Sequence, residues 1–279
     1  MKKMKSKTKS ILVKALFAVL LAVLVFIEIA RGLWSLDEEV YLLLSRLVGG
    51  VACLLFMLEF SFTGALSPVG NRKPLLWLLA LPGFIIAINN FPFVSFFTGD
   101  CDIGASADRI FFYALICLAT GFFEEMAFRG CAFMLLLKNR TQSKGRILFA
   151  IFVSSAVFGL IHLVNVFFGG SLGASLLQVG YSALIGALCS MVLLLTGNIW
   201  LCVALHAIYN FCGGLVDQFG VDGSVQWTPA EIIFTAIVSV IVAAYFVVIF
   251  VRMPNSLADA LFGRKKEEEL ENNVNSSAK

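Results

Sequence analysis

Eight stretches of about 20 residues carry almost no charge, and this pattern limits the possible folds more than any other feature of the chain. The stretches are roughly 11–30, 41–62, 75–97, 110–137, 147–168, 173–195, 199–216 and 230–251. An α-helix of about 20 apolar residues is long enough to cross the hydrocarbon core of a bilayer. In lipid, every backbone N–H and C=O must be satisfied within the protein, which leaves helices and closed barrels as spanning structures. The runs are long, continuous and rich in Leu, whereas barrel strands are short and alternate. The fold class read from this pattern is all-α: a polytopic membrane helix bundle of about eight transmembrane helices. The third run is the least regular. It carries Pro82, Asn89, Asn90 and Pro92, so it is expected to break or end early.

Composition points the same way. Of 279 residues, 59% are apolar and 14% are charged, where a soluble domain is nearer half and a quarter. A soluble enzyme, a disordered chain and a collagen-like fibre are excluded. The seven Cys form no C-x-x-C pair, and all but Cys101 fall inside apolar runs. They read as small buried hydrophobes, not as a disulfide framework or a zinc knuckle.

Lys and Arg set the expected orientation. If all eight runs span, sixteen of them fall on one side: in the N-terminus, in the loops at 72–73 and 138–146, and in the C-terminal tail. Only Arg31 and Arg109 lie opposite, beside Asp37, Glu38, Glu39, Asp100, Asp102 and Asp108. The positive-inside rule then places both termini in the cytoplasm. The expected organisation is a basic N-terminus at 1–10, one integral membrane helical domain at 11–251, and a polar tail at 252–279.

Ionisable residues inside apolar runs are costly and need a partner, a water-filled cavity or a function. Lys14, Glu28, Arg46 and Glu59 read as interfacial or packing residues near span ends. The fourth run differs. It contains Glu124, Glu125 and Arg129 near its middle. Glu125 and Arg129 are four apart, on one helix face, in the order that favours an ion pair. Glu124 points about 100° away. One carboxylate is thus neutralised by the arginine, and the second is the excess to be explained. The chain has two His. His162 follows Phe158 by four residues in the fifth run, and His206 precedes Asn210 by four in the seventh. These clusters on separate spans point to one intramembrane site. Small residues at Ser155, Gly159, Ser182, Gly186 and Ser190 read as close helix packing.

The three clusters, Glu124-Glu125-x-x-x-Arg129, Phe158-x-x-x-His162 and His206-x-x-x-Asn210, resemble in type and order the signature of the CAAX-protease and bacteriocin-processing family. This is the Abi or type II CAAX prenyl endopeptidase family of intramembrane proteases. The resemblance covers roughly residues 110–215. It implies hydrolysis of a peptide bond in a hydrophobic or lipidated, CAAX-like or bacteriocin-type peptide or protein. It implies Glu124 as general base on a water and His162 as the group that positions that water. His206 and Asn210 would be oxyanion donors. Glu125 would be a support that could share the catalytic role, with Arg129 and Phe158 supporting. No cofactor is required on this reading. A zinc-dependent version would use Glu124, His162 and His206 as ligands. The expected partners are the substrate and membrane lipid, with no nucleic acid, and the expected place is the cell membrane. A transporter and a non-catalytic immunity or scaffold protein are the rival readings. Against transport, the chain shows no inverted repeat and no pair of broken helices in matching positions.

Overall fold

The structure is a computed structural model that describes residues 37–67, 72–138 and 142–262, with Val19 and Phe26 as single positions. Helices account for nearly all of it. They are α1 (Glu38–Glu59), α2 (Pro74–Ala80), α3 (Pro82–Asn89), α4 (Phe93–Thr98), α5 (Ala107–Leu137), α6 (Lys144–Ile161), α7 (Leu172–Thr196), α8 (Ile199–Phe219), α9 (Pro229–Arg252) and α10 (Ser256–Asp259). Among the described residues there is no strand, only an isolated bridge between Ile103 and Gly220.

Six helices are long and apolar enough to cross a membrane: α1, α5, α6 with the turns that follow it, α7, α8 and α9. They correspond to six of the eight apolar runs. The run at 11–30 lies outside the described residues apart from Val19 and Phe26. The run at 75–97 is not one helix but three. Pro82 starts α3 directly after Leu81, and Pro92 precedes α4. Neither proline offers an N–H, so the α-helical ladder cannot pass through. The outer surfaces are apolar. Val240, Ile241, Val247 and Val251 of α9 and Phe152, Leu177 and Leu184 of α6 and α7 are exposed. A water-soluble protein buries such faces, whereas lipid solvates them. This is an integral, multi-pass membrane protein.

The helix starts are specified locally. Asp37, Ser143, Ser171, Asn198 and Thr228 each precede a long helix, and each side chain accepts a backbone N–H of the first turn. That satisfies donors the helix cannot satisfy itself. Gly197 ends α7 at φ 65°, a left-handed cap that glycine adopts without strain.

Packing centres on α7, which is enclosed on most sides from Ile185 to Thr196. Gly159 of α6 lies so close to α7 that an added Cβ would be 2.6 Å from the Val179 carbonyl oxygen. Gly121 of α5 meets α8 in the same way, at the Val203 carbonyl and the Ala207 amide. At one end of the bundle the segments 94–104 and 219–231 are knitted together. Glu231 is fully buried, and its Oε2 accepts the amides of Val94 (2.6 Å) and Ser95 (3.1 Å). The Ser95 hydroxyl donates to the Gln226 carbonyl, and Gly104 and Val221 pair with Phe219 and Asp102. Cys101 is buried within this layer, although the polar sequence around it reads as an open loop.

Candidate active site

The sequence EEMAFRG folds as helix but not as regular α-helix. From Met126 to Phe133 the backbone of α5 is a π-helix, with i to i+5 hydrogen bonding that is rare and often found at functional sites. Glu124 and Glu125 are the last residues of the regular part, and Arg129 lies within the widened turns. The pair expected from four-residue spacing is formed: Arg129 Nη1 donates to Glu125 Oε1 at 2.9 Å, both side chains being buried.

His206 reaches the same carboxylate from α8. Its Nδ1 lies 2.7 Å from Glu125 Oε1, and its Nε2 lies 3.3 Å from Glu124 Oε2. One imidazole therefore bridges both acids. The helical wheel sets Glu124 about 100° from Glu125. Glu124 leaves the helix in its own direction, but the neighbouring helix brings one ring within reach of both carboxylates. The two acids differ in access. The Glu125 side chain is 0% exposed and that of Glu124 is 15% exposed, so only Glu124 can meet a water or a substrate.

His162 is the first residue past the end of α6, where the chain tightens into a 3₁₀ segment, His162–Phe168. Its Nδ1 lies 2.9 Å from the Phe158 carbonyl oxygen. A carbonyl only accepts, so Nδ1 carries a proton, and in the neutral ring Nε2 then has the lone pair. His162 forms no ion pair with either carboxylate among the described residues. It joins the cluster through an aromatic ring. Phe158 stands edge-on to His162 (centroids 5.2 Å) and to His206 (5.6 Å), and the Arg129 guanidinium lies over its face at 4.7 Å. Phe158, which the spacing marks only as the start of a motif, is the hub of the site. A guanidinium on an aromatic face is favoured most when desolvated.

Asn210 is one turn along α8 from His206 and half-buried. Two polar side chains hold the backbone here. Asn90 Nδ2 donates to the Tyr209 carbonyl (2.9 Å), and the Tyr113 hydroxyl donates to the Asn210 carbonyl (3.2 Å). They reach that backbone because residues 213 and 214 are glycines. A Cβ on Gly213 would fall 2.1 Å from Asn90 Nδ2, and one on Gly214 1.9 Å from the Tyr113 oxygen. Gly186 of α7 has a similar part. A Cβ there would be 2.6 Å from Arg129 Nη2, so a residue that reads as packing also makes room for the arginine. The signal available in the sequence was the Gly-Gly pair and the small-residue face, without their partners.

Among the described residues no three His, Cys, Asp or Glu side chains are arranged to hold a metal ion. The arrangement can act as a hydrogen-bond cluster, in which one imidazole lies between two carboxylates and a guanidinium holds the buried one.

Comparison with known proteins gives one result. Residues 106–212 match the family model described as type II CAAX prenyl endopeptidase Rce1-like. That segment contains all of Glu124, Glu125, Arg129, Phe158, His162, His206 and Asn210. No curated protein and no solved structure matches the chain. By that match residues 106–212, which carry all three polar clusters, belong to the Rce1-like type II CAAX prenyl endopeptidase family, a family of proteases.

Proposed function

We propose that the protein is an intramembrane endopeptidase that cleaves a hydrophobic or lipidated peptide with a water activated by Glu124. The observation that carries this reading is the unequal exposure of two carboxylates on one imidazole. Glu125 is sealed between Arg129 and His206 Nδ1, while Glu124 alone is open. Peptide hydrolysis needs a base for the attacking water and donors for the oxyanion that forms. Glu124 takes the proton of the water. The Nε2 lone pair of His162 orients that water, with Nδ1–H tied to Phe158. The oxyanion that forms is met by a His206 Nε2–H, held in place beside Glu124, together with the Asn210 amide. Glu125 fixes the His206 ring through Nδ1, as a buried carboxylate orients the histidine of a catalytic triad. Glu125 and Arg129 are therefore positioning residues.

The topology that goes with this reading has eight spans, both termini in the cytoplasm and a cell-membrane location. Its support is the one-sided distribution of Lys and Arg. The substrate class, a CAAX-like or bacteriocin-type peptide, rests on the family alone. No metal enters the proposed steps.

The test uses purified protein in lipid vesicles with a C-terminally farnesylated peptide. Wild type should release a C-terminal fragment. Glu124→Gln and His162→Ala should each lower kcat/KM by about 100-fold or more, the range for loss of a general base. A Glu124→Gln variant that cleaves at the wild-type rate refutes the role of Glu124. Proton-coupled flux without cleavage would point to transport.

A further inference from the structure

The turn of α8 that carries Asn210 is held by side chains from three other segments. Asn90 Nδ2 donates to the Tyr209 carbonyl at 2.9 Å, the Tyr113 hydroxyl to the Asn210 carbonyl at 3.2 Å, and Gln226 Nε2 to the Gly213 carbonyl at 2.8 Å. Asn90 closes α3, Tyr113 lies in α5, and Gln226 lies between α8 and α9. Two of these donors, Asn90 and Gln226, fall outside the matched residues 106–212. α8 is helical from Ile199 to Phe219, and a helical carbonyl already accepts the amide four residues on. The side chains use the second lone pair of each carbonyl. The helix does not need these bonds in order to form, so they fix where this turn sits and not whether it exists.

The sequence around the donors suits these contacts. Pro92 ends the third apolar run and leaves Asn90 at the end of α3. An asparagine amide within a span hydrogen-bonds across to a neighbouring helix, and the bare backbone at Gly213 lets it come close: a Cβ there would be 2.1 Å from Asn90 Nδ2. Gln226 is tied in turn to the buried layer at the end of the bundle. Its carbonyl accepts the Ser95 hydroxyl, and the Ser95 amide donates to Glu231. One turn upstream, His206 is held by Glu124 and Glu125. His206 and Asn210 are four apart and share a face of α8. With His206 pinned by the acids and the next turn pinned by the three donors, the backbone of Asn210 is fixed from both sides.

We propose that Asn90, together with Tyr113 and Gln226, is a positioning residue of the active site, and that this backbone clamp sets residues 209–213 so that the Asn210 amide meets the oxyanion beside His206. This rests on the proteolytic reading of the Glu124 site, and adds that segments before and after the matched residues complete that site. Donors aimed at developing charge act only where they are preorganised. A swing of this turn is therefore felt in the chemical step and not in substrate binding.

The experiment is a double-mutant cycle on purified full-length protein in lipid vesicles, assayed with a farnesylated peptide. Asn90→Leu keeps the shape of the side chain and removes its donor, and Tyr113→Phe does the same at the second bond. Each should lower kcat about two- to tenfold, the equivalent of one net hydrogen bond, and leave KM unchanged. In an Asn210→Ala background the same changes should lower kcat no further, because the group they position is gone. A merely structural role lowers kcat by the same factor in both backgrounds, or raises KM. Either result overturns the inference, and so does a wild-type kcat in both Asn90→Leu and Tyr113→Phe. If wild type cleaves no peptide, the protease reading falls, and the clamp is judged without turnover. In protein carrying isotope-labelled asparagine, the nuclear magnetic resonance signal of the Asn210 side-chain amide is identified by its loss in Asn210→Ala. That signal should shift or broaden in Asn90→Leu and in Tyr113→Phe. A signal unmoved in both refutes the clamp.

Discussion

Removing Arg129 tests the buried cluster most directly, because the carboxylate it leaves behind has no route to water. In Arg129→Ala the Glu125 side chain stays 0% exposed and keeps only the His206 Nδ1 contact at 2.7 Å. Breaking a buried ion pair from one side costs about 3–5 kcal/mol. The surviving His206 contact argues for the lower end of that range. The lost guanidinium stack on Phe158, at 4.7 Å, adds up to about 2 kcal/mol when desolvated. The expected loss is therefore about 4 kcal/mol. Asn210→Ala, at a half-buried position outside the ion pair, should cost about 1 kcal/mol or less. Reversible unfolding in mixed micelles, followed by circular dichroism, measures both. The double variant Glu125→Gln/Arg129→Met removes both charges and should recover about half of the single-variant loss. Equal stability of Arg129→Ala and Asn210→Ala, or no recovery in the double variant, would refute the argument that charge burial dominates here.

Two further outcomes follow from close approaches. Gly186→Ala places a Cβ 2.6 Å from Arg129 Nη2, and should cost about 1–3 kcal/mol by overpacking; in the Arg129→Met background the same change should cost less, as a thermal shift assay would show. Gly214→Ala meets the Tyr113 hydroxyl at 1.9 Å and should lower stability and cleavage together. Adding Tyr113→Phe should restore part of both, and absence of any rescue would mean that the contact is not the cause.

The spans could be read from the chain because each obeys two simple rules. Long apolar stretches such as 230–251 leave the backbone no choice but helix, and Thr228 or Ser171 marks where a helix starts. The third run shows how these rules fail: hydrophobicity continues through Pro82 and Pro92, but the hydrogen-bond ladder does not. In the site, the Glu125–Arg129 pair was visible because both residues share one helix. The bridging of Glu124 and Glu125 by His206 was not, since helical angles say nothing about which neighbour arrives between them. Phe158 was marked as a supporting residue, but its central place was not visible for the same reason, as its ring meets Phe128, Arg129, His162 and His206. The π-helical turns after Glu125 have no residue signature in MAFRGCAF.

Those widened turns put the two halves of α5 out of phase in residue count. The acids belong to the upstream half, which is keyed to α1 and α8 through Gly49, Gly121 and His206. Met134 and Leu137 belong to the downstream half and are locked into the core. Deleting one residue between 130 and 133 would let the turns tighten to ordinary helix while roughly keeping the faces of both halves, because a wide turn advances about as far as an ordinary turn with one residue fewer. The stretch thus acts as a spacer that takes up one residue without turning the acids from their partners.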